Sequence, residues 1–224
     1  MAFDPSKRAR LTSHDLGRFP DDTLFDSVAR AVCSAGCLPR KELYEAWEVA
    51  RRVRRRFRGG RVVDLAAGHG LLAHLMLLLD DTSPEALAVD VRIPKSAAVL
   101  SAALVERWPR LQGRVRFVEG RLEDVALSAA DVVVSVHACG RLTDVVLERA
   151  AAAPARVAVL PCCHALSDAD QGGLSGWLEG SLAVDVVRAA RLRERGFSVH
   201  TATIPQEITS KNRLLIGAPR ERPA

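Results

Sequence analysis

From Arg61 onward, short β-branched and aliphatic runs alternate with stretches of helical periodicity, and this alternation constrains the fold more than any other feature. The runs Val62–Leu65, Ala86–Asp90, Val115–Val118, Asp131–Val136 and Val157–Leu160 read as strands. Helical stretches near 70–79, 94–108, 121–127 and 141–152 lie between them. Strands separated by helices of this length build βαβ units and a parallel sheet. A loop around Gly172 and Gly173 then leads to a helix near 182–194. The end differs, because Phe197–Ile204 and Arg213–Ile216 are strands joined only by PQEITSKN. That link is too short for a helical crossover, so the two strands are expected to pair antiparallel or to lie apart. The predicted fold is α/β and Rossmann-like, with five parallel strands closed by a terminal antiparallel hairpin.

An N-terminal helical extension precedes this sheet. Residues 1–20 mix charge, Ser, Gly and Pro without periodicity and read as a loose arm. Asp21 and Asp22 are placed to cap a helix that runs to Gly36, and Pro39 introduces a second from Arg40 to Arg58. Leu43, Trp47, Ala50 and Val53 recur on one face of it, and Gly59-Gly60 ends it. The expected division is an arm and helical extension over 1–58, a domain over 59–219 and a tail over 220–224.

Composition excludes several classes. The longest apolar run, Leu71 to Leu79, includes His74 and falls short of the roughly 18 residues of a membrane span. The first 20 residues carry Lys7, Arg8 and Arg10 but no apolar core of a secretory signal. Five cysteines, an odd number without such a signal, point to reduced thiols and a cytoplasmic location. Aromatic residues make up only 4%, so stacking platforms for bases are scarce. The net charge is +5, with many arginines between Arg51 and Arg61. That cluster suits phosphate contacts, and equally a solvated helix C-terminus.

The first strand runs into Val62-Val63-Asp64-Leu65-Ala66-Ala67-Gly68-His69-Gly70. Gly68 and Gly70 permit a tight turn and close backbone approach, and the next helix offers free N–H groups to an anion. Asp90 ends the second strand, where an acid accepts hydrogen bonds from ribose hydroxyls. Gly68-x-Gly70-x-x-Ala73 also satisfies a dinucleotide pattern. Asp64, however, would face a pyrophosphate, and the hairpin takes the place of a second mononucleotide half. The set resembles the class I S-adenosylmethionine-dependent methyltransferases, whose sheet is likewise five parallel strands with a terminal hairpin. The resemblance implies S-adenosylmethionine as cofactor, with its methionyl carboxylate at the helix N-terminus and its amine near Asp64. It implies cofactor contacts from Asp64, Ala66, Gly68, His69, Gly70, Asp90 and Val136. The stretch Glu119-Gly120-Arg121-Leu122-Glu123-Asp124 would bracket the adenine; Arg121 holds the usual acceptor position, so Leu122 with Glu123 or Asp124 would serve. Ala66 stands where a first glycine is common.

Two further motifs narrow the resemblance. His137-Ala138-Cys139-Gly140-Arg141-Leu142-Thr143-Asp144 follows the fourth strand, and Pro161-Cys162-Cys163-His164 the fifth. The pairing HACG…PCCH looks like a methyltransferase subfamily of bacteria and eukaryotes. It is distantly similar to the tRNA acceptor-stem 2′-O-methyltransferases, over roughly residues 38 to 217. The chain is shorter than those enzymes and lacks their zinc-binding segments. The resemblance implies methyl transfer, an in-line displacement that needs alignment and a base. His137 and His164 are the candidate bases, with Asp144 to orient one of them and Cys139 beside them; Lys211 and Asn212 are placed to close over the same face. The thiols Cys139, Cys162 and Cys163 equally suit small residues lining a strand end. Cys162-Cys163-His164 with Cys33 and Cys37 is an imaginable zinc set, but adjacent cysteines chelate one ion less comfortably than spaced pairs, so no metal is expected. Asp185 and Arg188 read as an exposed ion pair, and Trp47 and Trp177 as core or pocket wall. The expected activity is methyl transfer to an RNA such as tRNA. The alternatives are a protein side chain or small metabolite as acceptor, and a non-catalytic partner protein that keeps the fold.

Overall fold

The computed structural model describes residues 4–220. Seven strands form one sheet: β1 (Val62–Leu65), β2 (Ala86–Asp90), β3 (Val115–Glu119), β4 (Val132–Ser135), β5 (Arg156–Val159), β6 (Phe197–Thr203) and β7 (Arg213–Pro219). Their order is β3-β2-β1-β4-β5-β7-β6. The first five pair in parallel, while β7 runs antiparallel to both β5 and β6, as the short 204–212 link requires. The order reverses between β1 and β4, where Val62 pairs with Val132 and Asp64 with Val134. In an open α/β sheet a ligand crevice opens at the carboxyl ends of such a pair.

Strand alternation sends side chains to two opposite layers. Val62, Ala88, Val132 and Val134 meet α1 (Leu24–Ala35), α2 (Arg40–Arg56), α3 (Leu71–Leu78) and α4 (Ala97–Arg107). Val63, Leu65, Val133 and Val157 meet α5 (Arg141–Ala152) and α6 (Gly180–Glu194) on the other side. The inner strands β1 and β4 are buried at every position, which explains their unbroken apolar reading. Among the described residues no helix is long and apolar enough to cross a membrane.

Several expectations need correction. Residues 4–20 are docked rather than loose: Leu11 is fully buried and donates its N–H to Leu38 O at 2.9 Å, and Arg40 reaches Asp4 O at 3.0 Å. The cap of α1 is Thr23, whose side chain accepts from Asp26 N, while the Asp26 carboxylate accepts from Asp21 N. The helix foreseen at 121–127 is a single 3-10 turn over Leu122–Asp124, because its cap Arg121 supplies no acceptor. Helix α6 starts early because Glu179 accepts from both Ser181 N and Leu182 N.

The arginine cluster is largely structural. Arg54 is buried and bonds Met76 O, Ser83 Oγ and Asp80, fastening α2 to the end of α3. Arg61 forks onto Asp131 at 2.7 and 3.0 Å, and Arg52 and Arg51 turn back onto Glu48. Arg55 and Arg56 remain exposed.

Candidate active site

The turn after β1 is built around three left-handed residues. Gly68 (φ 51°) and Gly70 (φ 72°) adopt this conformation without a side-chain penalty, and Ala66 (φ 61°) adopts it against one. A Cβ on Gly70 would stand 2.7 Å from Phe117 Cε1, so packing as well as φ requires glycine there. A Cβ on Gly68 would meet nothing within 4 Å, because this residue faces open space. The Gly68 N–H donates to Asp90 Oδ2 at 2.9 Å, which ties the end of β1 to the end of β2. Beneath the turn, Asp64 accepts from Ala73 N at 3.1 Å.

These residues border a cavity of about 380 Å³ at the carboxyl ends of β1, β2 and β4. Asp64, Ala66, Gly68, His69, Asp90, Val136 and His137 all line it, as do Glu42 and Leu142. Among the described residues, the wall carries three carboxyl groups and no lysine or arginine. Burial pushes Asp64 up to about 8, with the neighbouring Asp90 adding to it against the Ala73 hydrogen bond. Burial and then Glu45 likewise raise Glu42 to about 7, opposed by Lys41. The two histidines shift the other way. Burial, and next the nearby Lys41, lowers His137 to about 4, so its imidazole is neutral around pH 7. His69 is also lowered, by burial and by Arg10, and shares a 3.0 Å hydrogen bond with Ser96 Oγ.

Leu122 and Glu123 do not line this cavity. Leu122 is buried in the opposite layer, and Glu123 is exposed and paired with Arg121. Gly70 shapes the turn from below without lining the space.

The two motif loops sit side by side because β4 and β5 are parallel neighbours. Gly140 N donates to Cys163 O at 3.0 Å and so joins them directly. Asp144 orients neither histidine: Arg188 holds both its oxygens, at 2.8 and 2.9 Å, and also donates to Gly140 O at 3.0 Å. The Asp185–Arg188 pair is not a surface one either, since Arg188 is only 2% exposed. Asp185 accepts from Arg213 Nε at 2.7 Å and pairs with His164 Nε2 at 2.9 Å. Burial alone would raise Asp185, but hydrogen bonds from His164 and Arg213 hold its carboxyl below the usual range. His164 is thus a buried clamp residue away from the cavity wall, and its Nδ1 has no hydrogen-bond partner among the described residues.

The thiols divide differently from the imagined zinc set. Cys33 and Cys37 are buried in the α1–α2 layer, whereas Cys139 converges on Cys162 and Cys163. Asn212 closes the β6–β7 turn by donating to Ile204 O at 3.0 Å. Trp47 is buried as expected, but Trp177 is 87% exposed and forms no wall.

Sequence reasoning missed Glu42, Leu38 and Ala46. A signal existed: the short 57–61 connection makes α2 run back along the sheet, so its first turn must sit at the carboxyl edge. A carboxylate in that turn then faces the crevice.

Among sequences, a methyltransferase-domain family model matches residues 41–169, more than half of the chain. None of the curated protein sequences compared with the chain matches it. Among solved structures, an O-methyltransferase family protein from Burkholderia thailandensis superposes with a TM-score of 0.53 at 22% identity, over 93% of this chain and 63% of that one. The S-adenosylmethionine-dependent methyltransferase SibL in its apo form gives 0.52 at 19%, over 94% and 66%. A candidate RNA methyltransferase from Pyrococcus horikoshii, PH1948, gives 0.50 at 19%, over 82% and 86%. The chain therefore spans just under two thirds of the first two relatives, and at these identities the likeness is one of fold. The sheet order and the matched segment agree: the chain belongs to the methyltransferase-domain family.

Proposed function

We propose that the protein is an S-adenosylmethionine-dependent methyltransferase with an RNA, such as a tRNA, as acceptor. The observation that carries the cofactor is the cavity wall, with Asp64, Asp90 and Glu42 and no cation. Such a wall suits a ligand bearing a sulfonium and an ammonium, whose positive charge favours ionised Asp64 and Glu42, and it offers no cation to the pyrophosphate of a dinucleotide. The open space above Gly68 leaves room for the ligand backbone to approach.

In this reading Asp64 receives the methionyl amine, and the N–H groups at the start of α3 receive the carboxylate. Asp90 keeps lone pairs for the ribose hydroxyls. The bound sulfonium supplies an electrophilic methyl group. With the cofactor bound, an acceptor atom would have to align with that methyl, and a base would take the acceptor's proton. His137 lines the cavity and holds an unprotonated imidazole near pH 7, so it is the residue assigned to receive or orient that proton. Val136 and Leu142 supply apolar wall beside it.

The RNA assignment rests on charge near the cavity mouth. Arg10 lies close enough to depress His69, and Lys41 close enough to depress His137. Arg52, Arg55 and Arg56 line a separate groove with His200, roughly 15–20 Å along α2 from Glu42. An extended polyanion can span both; a small metabolite needs only the first.

The test is labelled S-adenosylmethionine incubated with a crude lysate and the protein, then split into RNA, protein and small-molecule fractions. Label in RNA supports the assignment, and label confined to another fraction replaces the acceptor. Label nowhere, together with no cofactor binding, would make the chain a non-catalytic partner. For tRNA, affinity must fall as salt rises if phosphate contacts carry it.

A further inference from the structure

We propose that Cys139, Cys162 and Cys163 form a three-thiolate site for a soft divalent cation, with zinc the ion that fits best. Their three sulfur atoms all lie within 4.8 Å of one another, and Cys139 Sγ is 2.9 Å from Cys162 Sγ. The site is separate from the cofactor cavity, whose wall contains none of the three.

Residues from two loops meet here, on backbone that is already fixed. Gly140 N donates to Cys163 O at 3.0 Å, Arg188 holds Gly140 O, and Thr143 Oγ1 donates to Ala138 O at 2.5 Å. Adjacent cysteines in a strand would point to opposite faces. Cys162 and Cys163 lie beyond the end of β5, in irregular backbone, and there both thiols turn to the same side as Cys139.

Zinc–sulfur bonds of ~2.3 Å in tetrahedral geometry place sulfur atoms ~3.8 Å apart. The Cys139–Cys162 pair reaches this separation by opening roughly 1 Å, and no pair of the three lies farther apart than 4.8 Å. A disulfide between Cys139 and Cys162 would use two thiols and leave the convergence of Cys163 without a purpose. Cys139 and Cys163 are exposed, so an ion can enter from solvent. Three protein ligands leave a fourth position for water or another donor. Binding releases the thiol protons to solvent and requires no oxidant.

The experiment uses the full chain, reduced and freed of metal, titrated with cobalt(II). The expected result is saturation near about one equivalent, with thiolate-to-cobalt charge-transfer absorption that zinc then displaces. Cys139→Ser and Cys162→Ser should each abolish that absorption, and Cys37→Ala should keep it. A second measurement needs no variant: zinc should protect Cys139, Cys162 and Cys163 together from alkylation in a peptide map. Absence of the charge-transfer bands overturns the proposal. So does unchanged alkylation with zinc, or a Cys139–Cys162 disulfide in a protein that takes up no metal after reduction.

Discussion

Arg188 grips both oxygens of Asp144, at 2.8 and 2.9 Å, from a position only 2% exposed. Through this pair α6 holds the first turn of α5, and with it the loop that carries His137. Removing this buried cation leaves Gly140 O and the half-buried Asp144 carboxylate without their partner, while Asp185 keeps Arg213 and His164. Arg188→Met should therefore cost about 1–3 kcal/mol in urea denaturation. Arg191→Ala, which breaks an exposed pair with Asp170, should cost less than about 1 kcal/mol. Equal losses in the two variants would contradict this division.

Ala66 holds a left-handed conformation that glycine adopts freely. Ala66→Gly should stabilise the protein by about 1 kcal/mol while leaving cofactor affinity intact or improved. Thermal melting with and without S-adenosylhomocysteine checks both halves. A lower melting temperature would show that the alanine methyl contributes packing that outweighs the strain.

Asp64 supplies a pH signature. Its carboxyl is raised from 3.8 to about 8 in the folded protein. Between those values the folded state binds more protons than the unfolded chain, so this residue's contribution to stability falls as pH rises. Asp64→Asn cannot ionise and escapes that loss. The melting temperature of Asp64→Asn relative to wild type should rise between pH 5 and pH 9, even though the variant loses the partner for the methionyl amine. A difference independent of pH would place the Asp64 titration elsewhere.

His137 is assigned to the acceptor rather than to the cofactor. His137→Ala should lower kcat by about 100-fold or more, in keeping with loss of a positioned base, and change the Kd for S-adenosylhomocysteine little. Turnover at the wild-type rate would make this histidine structural.

Much of the sheet was legible because its strands carry their own marks. Val62–Leu65 and Ala86–Asp90 read directly as buried parallel strands, and PQEITSKN was too short for a helical crossover. The turn around Gly68 and the acid at Asp90 were legible for the same local reason. What depended on distant partners was not. Arg188 and Asp185 have helical spacing, which suggests a surface pair, and only the fold brings Asp144, His164 and Arg213 to them. Leu122 and Glu123 fit an adenine bracket by position, yet one is buried in the opposite layer and the other turns to Arg121. The docking of residues 4–20 likewise rests on backbone bonds from Leu11 N to Leu38 O and from Arg40 N to Ala9 O that no local pattern announces.

Whether the cavity is a cofactor site is tested most directly by titration calorimetry with S-adenosylhomocysteine. Wild type should bind at one site. Asp90→Ala, which removes both the ribose acceptor and the anchor of Gly68, should bind roughly 10–100-fold more weakly. No binding by wild type, or the same affinity in Asp90→Ala, would contradict the account.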